Sequence, residues 1–413
     1  MCKKNFYPPY IILLCIYIFF ILFSLSISSL SEIFSGLQTI ISTPDILITD
    51  YIELGGLGAT LVNSAFTSII CLLILVKNRI KPNGSTIMAL LLMTGFSFFG
   101  KNILNIWPIM IGVWLFSKYQ KEPFLNYTLV TILATTLAPT VSQLSFTGHF
   151  HPIVSAALGI SIGIFTGFII PPIASHCIKS HNGYNLYNIG FAGGLVATIM
   201  MSILRGLGIN FESRFIWNTG SNEFLLFFIS IICIFLIIVG YIYGNDPVND
   251  LVKINKEPGR LVADFYLRYG ESIYINIGIL GLCSTLFVIL IGGDLNGATL
   301  SAIFTIMGFG CFGKNLRNIT PIILGSLLAA LINVDPINSP NLVLSILFST
   351  CLAPIAGKFG FLYGVLAGFL HVNVVTNIGY LHGGLNLYNN GLAGGFVAMV
   401  LIPLITTFKK ENI

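Results

Sequence analysis

Long apolar runs, parted by short polar stretches, recur along the whole chain. They lie at about 10–30, 51–76, 127–143, 152–172, 189–209 and 224–243, then at 273–292, 341–356, 360–376 and 387–408. A bilayer core takes about 20 apolar residues of helix, and most of these runs reach that length, so ten membrane-spanning helices are expected. Two further runs, 86–116 and 299–331, are too long for one span and are interrupted at the same place by a polar tripeptide.

That interruption reads "GKN". Residues 86–99 give about 21 Å of helix at ~1.5 Å per residue, enough to enter a ~30 Å core but not to cross it. Gly100 breaks the helix, and a second one starts near Ile103 with Pro108 in its first turns, where proline is tolerated. The expectation is a re-entrant broken helix with Lys101, Asn102 and Asn105 at its tip. Lys314, Asn315, Arg317 and Asn318 stand at the second tip.

The pattern is duplicated in detail. Twelve of the seventeen positions from His181 to Ala197, "HNGYNLYNIGFAGGLVA", match those 201 residues later. "NGST" from Asn83 pairs with "NGAT" from Asn296, and "GFSFFGKNILNIWPIMIG" from Gly95 with "GFGCFGKNLRNITPIILG" from Gly308. "YIELGGLG" from Tyr51 pairs with "YINIGILG" from Tyr274, which sets Glu53 opposite Asn276. "TLAP" ending at Pro139 pairs with "CLAP" ending at Pro354, and "GIFTGF" from Gly163 with "GVLAGF" from Gly364. The unchanged order implies a tandem duplication: a first repeat over 1–209, a connection over 210–222 and a second repeat over 223–413. The offset drops from 215 to 201 between the last two pairs, which places a 14-residue insertion near "TGHFH" and makes His149 and His151 loop residues private to one half. The basic, then apolar N-terminus also fits a signal peptide, but the repeat needs it as a first helix.

Loop charges orient the copies, because Lys and Arg collect in short cytoplasmic loops. Lys3 and Lys4, Lys77 to Lys81, Lys118 and Lys121, Lys253 to Arg268, and Lys409 and Lys410 fall inside, while loops with Asp45, Asp50, Asp294 and Asp335 fall outside. Each half then crosses five times, so the copies are antiparallel, as in inverted-repeat transporters. Both termini are cytoplasmic, in a bacterial inner membrane. Arg205 and Arg214 land outside, against the rule.

The chemistry expected follows from the repeats. Lys101 and Lys314 at mid-depth are costly unless they face a polar pathway, and with helix N-termini they favour an anion; the bland alternative is snorkelling to an interface. Antiparallel copies are expected to bring the two tips together near the midplane. The "NLYN" segments, following Pro171 and Pro172 in the first half, read as unwound backbone before a small-residue helix face. Asn185, Tyr187 and Asn188, with Asn386, Tyr388 and Asn389, would line the path, or else cap helices and form a packing seam. His181 and His382 are candidates for proton handling, and Glu53 for ion coupling.

Composition agrees: of 413 residues 55% are hydrophobic and 8% charged, a membrane composition. The eight cysteines are scattered without metal-ligand or disulfide spacing, so no metal and no cofactor is expected. The net charge of +5 is spread over short loops and gives no nucleic-acid patch. No nucleotide-binding loop is present.

The duplicated "FGKNxxN" and "GxNLYNxGxAGG" motifs resemble those of an uncharacterised bacterial family of multipass membrane proteins built from two tandem copies of a domain of unknown function. The layout is also similar to that of the urea channels, an architectural likeness from which the basic tips depart. The fold expected is an all-α polytopic membrane protein of two inverted repeats, each five transmembrane helices plus one re-entrant broken helix. The function expected is a transporter or channel for a small polar, anionic solute, and not an enzyme; an intramembrane enzyme and a non-transporting scaffold or assembly subunit are the alternatives. The partners expected are the solute and the lipid bilayer, with a homo-oligomer left open.

Overall fold

In the computed structural model the described residues are 8–146, 148, 151–211, 214–260 and 264–408. They form ten helices long and apolar enough to cross a membrane, as the apolar runs predict, and no strand beyond two isolated bridges. Lys3, Lys4, Lys409, Lys410 and His149 lie outside the described residues.

The first half runs α1 (Pro8–Ile27), α2 (Leu30–Ser42), α3 (Tyr51–Gly55), α4 (Leu57–Lys77), α5 (Gly84–Phe96), α6 (Ile106–Tyr119), α7 (Thr128–Ala134), α8 (Ala138–Phe146), α9 (Pro152–Ser180) and α10 (Asn188–Gly206). The second half repeats this order as α11 (Asn222–Tyr243), α12 (Pro247–Ile254), α13 (Phe265–Tyr269), α14 (Ile273–Leu290), α15 (Gly297–Phe309), α16 (Leu316–Leu331), α17 (Pro340–Ser349), α18 (Ala353–Phe359), α19 (Phe361–Ile378) and α20 (Asn389–Phe408). A short 3-10 segment joins α7 to α8 and α17 to α18, so each pair makes one bent span.

Hydrogen bonds between loops define two faces. On face I the Tyr10 hydroxyl donates to Ile80 O, and Gly84 N donates to Asp264. On face II Gly297 N donates to Asp50, Trp217 Nε1 to Asp294 and Arg205 to Tyr380 O. The pair Asp264 and Asp50 shows the inversion: each caps its own short helix, α13 or α3, and also holds the first N–H of the other half's entry helix, at opposite faces. A carboxylate at a helix start satisfies unpaired N–H groups and complements the dipole.

This geometry corrects one sequence pairing. Asn63 Nδ2 donates to Ser97 O and Lys101 O at the first tip, and Asn276 Nδ2 to Gly310 O and Lys314 O at the second. Asn276 is therefore the counterpart of Asn63, at the offset of 213 that also relates the "NGST" and "GKN" motifs. The likeness of "YIELGGLG" to "YINIGILG" is local coincidence; "YIELGG" matches "FYLRYG", and both end on a glycine with positive φ, Gly56 and Gly270.

The insertion is also more than a loop. Helix α9 starts eleven residues before Gly163, whereas α19 starts three before Gly364, so much of the extra sequence extends a helix. His151 stands just before that helix with no side-chain cap bond. Pro171 and Pro172 do not end α9, which continues through them to Ser180.

Candidate functional site

Each tip is built by its tripeptide. Asn83 and Asn296 start the entry helices α5 and α15 with reciprocal side-chain and backbone bonds to Thr86 and Thr299, a capping box. Gly100 and Gly313 take positive φ, which glycine adopts without steric cost, and Lys101 N and Lys314 N close back on Phe96 O and Phe309 O. Asn102 and Asn315 then pair with Asn105 and Asn318 through side-chain and backbone bonds in both directions. These four amides serve the backbone of the tips. Irregular backbone buried at this depth needs such partners.

The entry helix α5 rises from face I and is met side by side by α15 descending from face II; Gly84 lies against Cys311, Gly95 against Ser301 and Phe304, and Gly297 against Phe98. Helix α6 then runs alongside α9, with Pro108 against Gly163 and Ile109 against Gly167. The expected meeting of the two tips is not what the packing gives. Because the thirteen-residue entry helices overlap along their length, the tips stand at opposite ends of a pair ~20 Å long.

What converges instead is the tyrosines of "NLYN". Lys101 Nζ reaches across the repeat boundary to donate to Tyr388 Oη at 2.8 Å, over the rings of Phe96 (5.3 Å) and Tyr388 (4.7 Å). Lys314 Nζ donates to Tyr187 Oη at 2.6 Å and to Thr350 Oγ1 at 2.7 Å, over Tyr187 (4.7 Å) and Phe309 (5.2 Å). Both lysines are 0% exposed. Among the described residues the ion pairs are Lys253–Asp250 and Arg268–Glu257, and neither involves them. Aromatic faces and hydroxyl oxygens are their counter-groups, a cation–π arrangement.

Two cavities flank these groups. One, of about 400 Å³, is walled on the face II side by Ile46, Leu47, Phe99, Arg205 and Arg214. The other, of about 300 Å³, runs from Ser85 and Leu129 on the face I side to Tyr187 and Tyr388. Both end on Phe348, Leu387 and Asn390. The two tyrosines and Asn188 line the second cavity, and Asn389 the first; Lys101 and Lys314 line neither.

The other candidates divide. Asn185 Nδ2 donates to Gly391 O and Asn386 Nδ2 to Gly190 O, while Gly190 and Gly391 touch backbone to backbone. These two asparagines stitch α10 to α20 and line neither cavity. Asn185→Leu or Asn386→Leu should therefore lower membrane abundance and thermal stability together, by about 1–3 kcal/mol for the carbonyl left unpaired. Loss of flux at normal stability would show a pathway role instead. His181 Nε2 meets Asn188 Oδ1 at 3.0 Å and His382 Nε2 meets Asn389 Oδ1 at 2.7 Å, so the histidines orient the lining amides. Glu53 is exposed on face II, where its carboxylate accepts from Asn218 Nδ2 and not from a tip residue.

Four groups at the site carry no repeat signal, so repetition alone does not find them. Asn390, opposite Ile189 in the first half, leaves its Oδ1 without a partner where the two cavities meet. Arg205 stacks on Tyr380 at 4.1 Å, and with Arg214 lines a cavity in which no Asp or Glu stands among the described lining residues. The fourth is Asp45, buried against the first tip.

Fold and site define a polytopic α-helical membrane protein made of two inverted copies around a shared buried centre. The chain belongs to the family described as "Protein of unknown function (DUF1576)", which matches residues 29–206 and 244–407, one segment in each half. Neither a curated protein nor a solved structure matches it.

Proposed function

We propose that the protein carries a small anion across a membrane, along a path between its two repeats, and that it catalyses no covalent reaction. The observation that carries the reading is the pair of cavities that approach from opposite faces and end on the same three residues, Phe348, Leu387 and Asn390. A site reached from either face through a thin partition is what inverted-repeat transporters use for alternating access. Each α5–α6 and α15–α16 hairpin acts as a re-entrant element, with face I in the cytoplasm of a bacterial cell.

Charge supports an anion. Arg205 and Arg214 offset the positive-inside pattern because they line the face II cavity, where they attract anions to its mouth. Deeper in, each ammonium bonded to a phenol oxygen polarises that phenol, whose own hydrogen remains a donor. The face I cavity is mostly aliphatic and aromatic, which suits an anion with an apolar body better than a strongly hydrated inorganic ion.

Purified protein should gain thermal stability on titration with members of a panel of chloride, phosphate, sulfate, lactate and benzoate. Arg214→Gln should weaken the response, and a single lost charge-assisted contact of about 1.5–3 kcal/mol corresponds to roughly tenfold or more in affinity. A wild type indifferent to every anion, yet stabilised by a neutral solute such as urea, would overturn the anion assignment.

A further inference from the structure

We propose that Asp45 is a proton-binding site, closed off by the wall of the face II cavity, and that it supplies the coupling ion for transport. The coupling role rests on the transport reading; proton binding at Asp45 does not, and the tests below need no solute.

Asp45 lies in the connection between α2 and α3 and is 0% exposed. Its Oδ2 accepts from Asn105 Nδ2 at 2.9 Å and from Asn102 Nδ2 at 3.3 Å, the two amides that shape the first tip. Its Oδ1 has no partner. Among the described residues the surrounding elements offer it no cation. Helix α8 contributes the Ser142 hydroxyl, which also shares the Asn105 amide at 3.0 Å, and no ionisable side chain; α3 contributes the Tyr51 phenol, and both hydroxyls face the Asp45 carboxyl. The tip contributes Lys101, but that ammonium is committed to Tyr388.

The second repeat serves as an internal control. There the equivalent amides are satisfied without any acid: Asn315 Nδ2 donates to Ile254 O and Glu257 O, and Asn318 Nδ2 to Gly313 O. Neutral backbone carbonyls do for one tip what a carboxyl does for the other, so the fold has no need of a charge at Asp45. An ionised carboxylate here would be desolvated, with neutral donors around it but no cation to offset its charge, which is costly. A proton removes that charge and gives the carboxyl a hydrogen to donate, and ionisable groups placed this way in membrane proteins serve ion or proton pathways.

Access to the group is controlled. The next three residues, Ile46, Leu47 and Ile48, wall the face II cavity, and Leu47 N is fastened to Gly384 O of the second repeat at 3.1 Å. Phe99, from the first tip, is part of the same wall. Asp45 can exchange its proton only when this wall parts, and parting it also opens the path for solute. One movement then exposes both sites, which is the requirement for coupling.

Asp45→Asn keeps an acceptor for the two amides and removes the ionisable group. The melting temperature of the wild type should fall more steeply than that of the variant as pH rises from about 5 to about 8, because only the wild type loses a proton that its folded state binds preferentially. In membranes, a hydrophobic carbodiimide, which adds a protonated carboxyl across its C=N bond and takes the proton on nitrogen, should label Asp45, several-fold more at the lower pH. Peptide mass spectrometry reads this on wild-type protein, so the test survives a variant that fails to fold. Parallel pH profiles with no label on Asp45 would overturn the proposal. A stabilisation by sodium over choline at the higher pH, present in the wild type and lost in Asp45→Asn, would overturn the proton in favour of a sodium site.

Discussion

Lys101→Met and Lys314→Met are each expected to leave the purified protein as stable as the wild type, or more so, while abolishing anion flux in proteoliposomes. Each lysine is 0% exposed and faces aromatic rings and hydroxyl oxygens without a carboxylate. A buried charge with no ionic partner is poorly repaid: its desolvation costs several kcal/mol, against about 2 kcal/mol from a desolvated cation–π contact. Methionine fills much of the same volume and packs well on aromatic rings. What it removes is the positive charge behind Tyr187 and Tyr388, the two phenols that line the face I cavity. A loss of flux with stability retained separates function from architecture. A fall in stability of several kcal/mol would instead make the lysines part of the scaffold, and the anion reading would lose its strongest support. Arginine should rescue poorly, since a planar guanidinium differs in shape from the compact ammonium that sits beside the touching rings of Phe96 and Tyr388 and bonds Tyr388 Oη.

Much of the fold is legible in the sequence because two of its determinants are local. The length of an apolar run decides whether a helix spans, and all ten spans were set by that alone. The tips were legible because "GKN" must do three jobs in order, a left-handed glycine, a lysine and an asparagine whose side chain holds the backbone three residues on, and does them twice. The pairing of Tyr51 with Tyr274 failed for a physical reason: five apolar, aromatic or small residues match by chance in a chain this apolar, whereas Asn63 and Asn276 are singular because each holds two tip carbonyls. The convergence of the tips failed because loop charges fix direction, not depth. How far α5 and α15 slide past each other depends on Gly95 and Gly308 letting the helices touch.

The candidate site was legible only where it is duplicated. Repetition singled out Lys101, Lys314, Tyr187 and Tyr388, which the structure gathers by pairing each lysine with the other repeat's tyrosine. It could not separate Asn185 and Asn386, which staple the helices, from Asn188 and Asn389, which line the cavities, since all four share one motif. Asp45 and Asn390 have no counterpart in the other repeat, so repetition could not mark them. Arg205 and Arg214 were visible as exceptions to the charge rule, and their reason lies in a cavity wall assembled from segments far apart in sequence.

Phe348→Ala should turn the protein into a leak. The ring of Phe348 stands at the junction of both cavities, 5.8 Å from Phe96 and 6.2 Å from Tyr187, and the remaining partition is Leu387 and Asn390. Its counterpart in the first repeat is Leu133, a smaller residue that lines the face I cavity alone, so the barrier is carried by one side of the molecule. Truncation to alanine joins the two cavities, and each ~1.4 kcal/mol taken off the barrier raises passive flux about tenfold. Efflux from preloaded liposomes should then rise by at least that factor and lose its dependence on solute on the opposite side, the mark of a pore rather than a carrier. Because removing a buried phenylalanine costs about 3–5 kcal/mol, Phe348→Leu provides the milder variant: it restores the first-repeat residue, keeps most of the packing and should leak less than alanine. A folded Phe348→Ala protein with wild-type efflux would show that the two cavities are not halves of one path, and the transport reading would fall with it.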